Sequence, residues 1–319
     1  MQTDSGEIMT EEQTEAASTL AQRFRLVALD IDGTLLDPVG QITPRTHAAV
    51  SALQAAGILV TLATSRRWTP AAPFAAKLSL TEPLILCDGA MIRSHPDGAL
   101  LLSDLLPAKK AQQAALLLAE AELPAIAQFC DPLNANLEYL IADERPPHPE
   151  WLTEYLRFYA HQTTFAPLEA LCAGRADPLR LVTFGPRDHL RQIAERLTPL
   201  GCATQVIAEG SYGTAEMTVF SATASKGNAL AWLAQRMGVA LAETLAIGDG
   251  ENDVSLLSMA GLGVAMGNAL PETRLVADAL TASNAEDGVA LALERYILEP
   301  LGYSGYPADA LPVRHVNTV

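Results

Sequence analysis

The tightest constraint on what this chain can fold into is one ten-residue run, Ala28-Leu29-Asp30-Ile31-Asp32-Gly33-Thr34-Leu35-Leu36-Asp37, which closes an apolar stretch beginning at Phe24. That stretch reads as a buried strand ending on two carboxylates one residue apart. Side chains at i and i+2 of an extended chain point to the same side, so Asp30 and Asp32 are expected to face one spot. Carboxylates held together repel and call for a cation or a shared proton between them. Oxygen ligands on a short, tight loop suit Mg²⁺. Gly33 permits a sharp turn, and the Thr34 hydroxyl is available to nearby backbone or to a phosphate. An acidic turn without function is the plain alternative, so the rest of the chain has to supply partners.

The next elements follow the order of a parallel sheet. Thr43-Pro44 reads as an N-cap with Pro at the first helical position, the helix runs to Ala56, and Gly57 stops it. Ile58 to Ala63 reads as a second buried strand, ending at Thr64-Ser65-Arg66-Arg67. Strand, helix, strand at this spacing is a right-handed βαβ unit. Ligands of such sheets gather at the carboxyl ends of the strands, which sets Thr64 beside Asp30 with its hydroxyl free for a phosphate oxygen. Arg66 and Arg67 are open to two readings, substrate contact or solvated charge. A third strand, Pro83 to Cys87, runs into Asp88-Gly89-Ala90.

The same pattern resumes late in the chain. Ser225-Lys226-Gly227 opens a helix over Asn228–Met237. A lysine at a helix start opposes the dipole there, so Lys226 is either a solvated surface charge or a point charge kept for a phosphoryl group. Thr244 to Ile247 is a short buried strand leading into Gly248-Asp249-Gly250-Glu251-Asn252-Asp253 and then the helical Val254–Leu257. An EF-hand is excluded, because position six of a loop starting at Asp249 is Val254, where glycine is required. Gly261-Leu262-Gly263 does not open a dinucleotide fingerprint: the third glycine comes one place late, at Gly267, and the chain before it is helical. A short strand and a turn are expected there, then a last helix over Val289–Leu298.

Between about Met91 and Met217 the character changes. Prolines become frequent, and the periodicity predicts helices over Lys109–Glu122, Pro149–Tyr159 and Asp188–Leu197. Strands are expected over Ala125–Phe129, Leu137–Ile141, Leu179–Phe184, Ala203–Ala208 and Thr214–Phe220. This reads as an α+β module inserted into the first. Trp151, Tyr155, Phe158 and Tyr159 are expected to form its core rather than a ligand box.

The run at Asp30 resembles the first motif of the haloacid dehalogenase (HAD) superfamily. Thr64, Lys226 and the Gly248–Asp253 hexapeptide are similar to its second, third and fourth motifs. Gly267-Asn268-Ala269, Asn284 and Asp287-Gly288-Val289 match turns of one branch, the Cof-type or class IIB phosphatases. The resemblance is close over residues 24–90 and 216–298. Two positions depart from the branch pattern: Ser65 stands where glycine is common, and Asp88 where asparagine is. The resemblance implies a Rossmann-like α/β parallel-sheet core, residues 23–90 and 218–299, with an inserted α+β cap of the C2B type, residues 91–217. It implies an Mg²⁺-dependent phosphatase acting on small phosphorylated metabolites, sugar phosphates or phosphorylated cofactors, through an aspartyl phosphate. Asp30 would be the nucleophile, Asp32 the general acid and base, and Lys226 the phosphoryl-binding cation. Asp30, Asp249 and Asp253 would serve the metal, with Asp32 through its backbone carbonyl and Asp253 orienting Lys226 or a water ligand, and Gly33, Thr64, Ser65, Arg66 and Asn252 would contact substrate. A phosphomutase on the same scaffold and a noncatalytic binding protein are the alternatives.

Composition narrows the setting. The net charge of −16 over 319 residues disfavours nonspecific binding to nucleic acid or to an anionic membrane surface. Cys87, Cys130, Cys172 and Cys202 are scattered without a Cys-x-x-Cys, which indicates neither a zinc knuckle nor a redox pair and fits thiols in a reducing cytosol. Residues 1–22 carry five acidic residues before Gln22 and neither a basic start nor an apolar core, so a solvated leader is expected rather than a secretory signal. No stretch reaches the ~18–20 apolar residues of a membrane span. A cytoplasmic monomer or homodimer, with an extended tail over 300–319, is the expectation.

Overall fold

The computed structural model describes residues 23–130, 138–143, 149–167, 177–207 and 212–303; the leader, most of the tail and Cys172 lie outside these. The central strand is β1 (Leu26–Leu29), every residue of which is buried. Helix α1 (Pro44–Ala55) starts on Thr43, whose hydroxyl accepts the Thr46 amide as an N-cap should. It returns the chain to β2 (Leu59–Leu62), which pairs parallel with β1 in the register Leu29↔Leu62. Helix α2 (Trp68–Lys77) carries Pro70 in its first turn and Pro73 in its interior, a pattern that hides it from periodicity. Strand β3 (Leu84–Leu86) joins the sheet edge through the bridge Ala63↔Ile85. It also pairs antiparallel with β4 (Met91–Arg93), which pairs with β5 (Leu100–Ser103).

The inserted module begins with α3 (Ala108–Glu120) and β6 (Ala125–Cys130). It continues through β7 (Glu138–Asp143), α4 (Glu150–Tyr159), β8 (Thr163–Ala166), β9 (Arg180–Gly185), α5 (Arg187–Leu197), β10 (Cys202–Ile207) and β11 (Ala215–Ser221). Its sheet has the order β10-β11-β9-β6-β7-β8 and is antiparallel except for the β7–β8 pair. Strand alternation sorts the faces. Ala125, Ala127, Leu181, Met217 and Val219 pack under α3 and α5. Ile126, Val182 and Phe184 pack with Trp151, Leu152 and Tyr155 of α4, and Tyr159 packs partly buried against them, so these aromatics are core; the Phe158 side chain lies outside the described residues. The same face as this second cluster carries Gln128, Arg180, Gln205 and Thr218, all buried polar side chains.

The chain then re-enters the first body. Helix α6 (Lys226–Arg236) is capped by the Ser225 hydroxyl, which accepts the Asn228 amide. It leads to β12 (Thr244–Gly248), α7 (Val254–Met259), β13 (Leu262–Ala265), α8 (Pro271–Val276), β14 (Ala279–Leu280) and α9 (Gly288–Leu293). The parallel sheet has the order β14-β13-β12-β1-β2. The last helix, expected as one piece over Val289–Leu298, ends at Leu293 and continues as a wider, π-helical turn over Glu294–Leu298. Two hydrogen-bonding facts bear on where the modules meet. Strand β4, after Met91, pairs with β3, and its Met91 and Ile92 belong to the first core. Strand β11 runs past Met217 to Ser221 in the second sheet. No helix of the described residues is long and apolar enough to cross a membrane.

Candidate active site

Register alone brings three loops together. Strands β12 and β2 flank β1 with Leu29 opposite both Ile247 and Leu62, so Asp30, Asp249 and Thr64 emerge side by side at the carboxyl edge. The first loop is a tight turn, closed by the Leu35 amide on the Asp30 carbonyl (3.2 Å) and the Leu36 amide on that of Ile31 (3.0 Å). Gly33 sits in it at φ +81°, and a Cβ there would collide with the Asp249 carboxylate. Glycine is therefore required twice, for its dihedral and for the approach of Asp249. Gly33→Ala is expected to push Asp249 aside and remove nearly all activity while the sheet still folds. A steady-state assay alongside circular dichroism checks this, and parent-level activity would show that the approach does not matter.

Lys226 is the hub. Its side chain is fully buried, and its Nζ donates to Asp30 Oδ1 and Asp253 Oδ1, each at 2.6 Å. The awkward lysine at the helix start is thus answered by two carboxylates, which outweigh the helix dipole and hold the ammonium charged, its pKa raised despite burial. Asp253 accepts the backbone amides of Asp249 and Gly250 on its other oxygen, both at 3.0 Å, so both of its oxygens are engaged. Asp249 Oδ1 accepts from the Thr34 hydroxyl at 2.6 Å, which is where that hydroxyl goes. Oxygens of Asp30, Asp249 and Asp253 all lie within 4.8 Å of one another. Burial, then the neighbouring Asp253, pushes the Asp30 carboxyl well above the usual range. Burial likewise pushes Asp249 up to about 6. Desolvated hard oxygens that repel one another are a donor set that a small divalent cation would satisfy.

Asp32 does not add its carboxylate to this group. The Asp32 side chain turns to Arg66, whose Nε and Nη2 donate to Oδ2 and Oδ1 at 2.7 and 2.6 Å, a bidentate clamp. Arg66 also donates to the Pro70 carbonyl at 3.1 Å, and its backbone amide donates to Thr64 Oγ1 at 3.1 Å. Thr64 is fully buried, with its amide on the Ile85 carbonyl at 2.9 Å. Ser65 offers its carbonyl to Arg180 of β9 at 3.2 Å. Asn252 donates to Asp88 Oδ1 at 3.1 Å.

Four further residues complete the arrangement. Asn268 donates to the Gly33 carbonyl (2.8 Å), and its own Oδ1 accepts the Asn284 amide (3.0 Å). Asn284 in turn donates to the Leu36 carbonyl (2.7 Å), so the late turns brace the first loop. Arg180 and Gln205 come from the second sheet. Arg180, a charge beginning an apolar strand, was the one signal in the sequence that could have singled it out; Gln205 gave none.

A parallel sheet bearing this constellation at its carboxyl edge, with a largely antiparallel module inserted in the chain, defines the class: an α/β fold whose site gathers carboxylates around one buried lysine. Residues 27–293 match the haloacid dehalogenase-like hydrolase family, and the chain belongs to it. It is 31% identical over 263 residues to the HMP-PP phosphatase of Cronobacter sakazakii, a match covering 78% of this chain and 86% of that one. It is 28% identical over 292 residues to the 5-amino-6-(5-phospho-D-ribitylamino)uracil phosphatase YwtE of Bacillus subtilis, covering 86% and 98%. A solved haloacid dehalogenase-like hydrolase from B. subtilis superposes with a TM-score of 0.66 at 26% identity, over 85% of this chain and 99% of that one.

Proposed function

We propose that this phosphatase hydrolyses monoesters of small phosphorylated metabolites through a phosphorylated Asp30, with Mg²⁺ as its metal. The observation that carries the reading is Lys226 bridging Asp30 and Asp253 beside Asp249. Asp30 and Asp249, with the Asp32 backbone carbonyl, would hold the metal. Asp253 would act mainly through Lys226, because its oxygens already accept from that ammonium and two backbone amides. When bound, Mg²⁺ supplies positive charge that offsets the repulsion between a phosphate dianion and the carboxylates.

Lys226 fixes Asp30 Oδ1, and we assign Oδ2 to in-line attack on phosphorus. The ester P–O bond breaks, its electron pair leaves with the alkoxide oxygen, and Asp32 gives that oxygen a proton. In the second step Asp32 takes a proton from water as the water attacks phosphorus, which frees the Asp30 carboxylate and phosphate. Arg66 must release one of its two bonds to Asp32 during this exchange. Thr64 and the amides of the first loop would hold phosphoryl oxygens. By name the two relatives are an HMP-PP phosphatase and a 5-amino-6-(5-phospho-D-ribitylamino)uracil phosphatase, which supports a small phosphorylated metabolite as substrate. For the cap we propose residues 104 to 224, outside the hairpin that pairs with β3.

Metal-depleted protein should be inactive across a panel of sugar phosphates, nucleotides and pyridoxal phosphate, and Mg²⁺ should restore turnover. Equal rates with and without a chelator would sink the metal assignment.

A further inference from the structure

We infer that Arg180, contributed by the inserted module, and Asp88 form a buried ion pair that positions two loops of the active site, so that the module sets the rate of reaction as well as the choice of substrate. Asp88 is only 3% exposed, yet it lies beside a phosphate site where a further carboxylate has no evident use. Its neighbours explain it. Oδ2 lies 3.6 Å from Arg180 Nη1, and Oδ1 accepts from Asn252 at 3.1 Å. With its amide nitrogen turned to the carboxylate, the orientation that satisfies both groups, Gln205 donates to both oxygens at 3.1 and 3.2 Å. Asp88 therefore takes partners from both modules, and one of them, Asn252, belongs to the loop between Asp249 and Asp253.

Arg180 has the matching duality. It is 6% exposed, its Nε donates to Gln128 Oε1 within its own sheet at 2.7 Å, and its Nη1 donates to the Ser65 carbonyl at 3.2 Å. Ser65 follows Thr64, and the Thr64 and Arg66 carbonyls accept the amides of Asp88 and Cys87 at 3.1 and 3.0 Å. One guanidinium thus ties the Thr64 loop to the 87–89 loop. The latter is itself pressed onto the start of α6: Gly89, at φ +90°, approaches the Ser225 carbonyl so closely that no Cβ would fit. Arg67 adds a second cross-module contact, its guanidinium 4.6 Å from the centre of the Tyr159 ring. The chain of contacts runs from the second sheet to the flanks of Thr64, Lys226 and Asn252. A buried ion pair is a poor source of stability but a strong fixer of one arrangement, because each partner is costly to leave unpaired. Arg180 and Asp88 touch no reacting atom; they are positioning residues.

The kinetic arm of the test rests on the phosphatase reading, and the exchange arm does not. Arg180→Gln and Asp88→Asn should each lower kcat about 10²-fold, the cost of a small misplacement of reacting groups. The loss should be the same for every ester in the panel. The double variant should lose no more than the worse single one, because the residues act as a unit. Arg180→Lys, which keeps the charge, should recover part of the loss. Hydrogen exchange needs no substrate: the amides of Cys87 and Asp88 should exchange at least tenfold faster in Arg180→Gln, while those of β1 and β12 keep their parent rates. Multiplicative losses in the double variant, losses confined to particular leaving groups, or unchanged exchange at Cys87 and Asp88 would each overturn the proposal. If the parent turns over no ester at all, the phosphatase reading fails, and the exchange result still decides the pair.

Discussion

Asp30→Asn should leave no measurable turnover and no phosphorylated protein with any ester. The amide cannot attack phosphorus, and losses on removing a nucleophile that works with its partners reach roughly 10⁵–10⁶-fold in other hydrolases. The fold should persist. Asp30 is a buried carboxylate whose ionised form is disfavoured by burial and by Asp253, so a neutral amide of the same shape relieves a cost. The expected result is therefore a parent-like or higher unfolding midpoint together with dead chemistry, read by urea titration and by phosphate release. Residual activity within tenfold of the parent would remove Asp30 from the reaction.

Lys226→Met should fail in the opposite way, losing stability and activity together. The ammonium is the counter-charge for Asp30 and Asp253, and its side chain is fully buried. Without it two buried carboxylates face each other unpaired, which costs roughly 3–5 kcal/mol for a broken buried pair before protonation relieves part of it. Without Lys226 the Asp30 carboxyl should rise further, since the lysine is the group that lowers it. A raised carboxyl favours the folded state below its unfolded pKa and loses that advantage as pH rises through its folded pKa. The defect of Lys226→Met should therefore be smallest in acid and grow towards neutral pH. Urea unfolding at a series of pH values measures this, and a deficit independent of pH would show that the lysine is not the counter-charge of these carboxylates.

Much of the first module could be read from the chain because its signals are local. Apolar runs ending in Asp30, Thr64 and Asp249 fix strands, and the rule that ligands gather at the carboxyl edge of a parallel sheet brings those ends together. Lys226 was legible as an anomaly, a cation where the helix dipole disfavours one. Residues that act through tertiary contact were not legible. Thr34 reads in sequence as a partner for backbone or phosphate, and the fold gives its hydroxyl to the Asp249 carboxylate instead. Asp253 reads in sequence as able to orient Lys226 or a water ligand, and it meets Lys226; that its other oxygen takes two backbone amides shows only in the fold. Asp88 stood out as a departure without a reason, and its reason, Arg180, lies 92 positions away on a strand of the other module. Helix α2 was silent because Pro70 and Pro73 interrupt its pattern. The hairpin of β4 and β5 was read with the insert because composition changes at Met91, whereas pairing with β3 keeps it with the first core.

The most direct test of the account uses Asp32→Asn. Asparagine retains the loop and can still accept one bond from Arg66, but it can neither donate the proton to the leaving group nor accept one from water, a contribution of roughly 10²–10⁴-fold. With p-nitrophenyl phosphate, whose leaving group needs no proton, the first step should suffer less than the second. Phosphate should then accumulate on the protein. A rapidly quenched sample should show a mass increment of one phosphoryl group, mapped to the peptide containing Asp30 and absent from the Asp30→Asn/Asp32→Asn double variant. Label on Thr64, Ser65 or a histidine, persisting in that double variant, would contradict it.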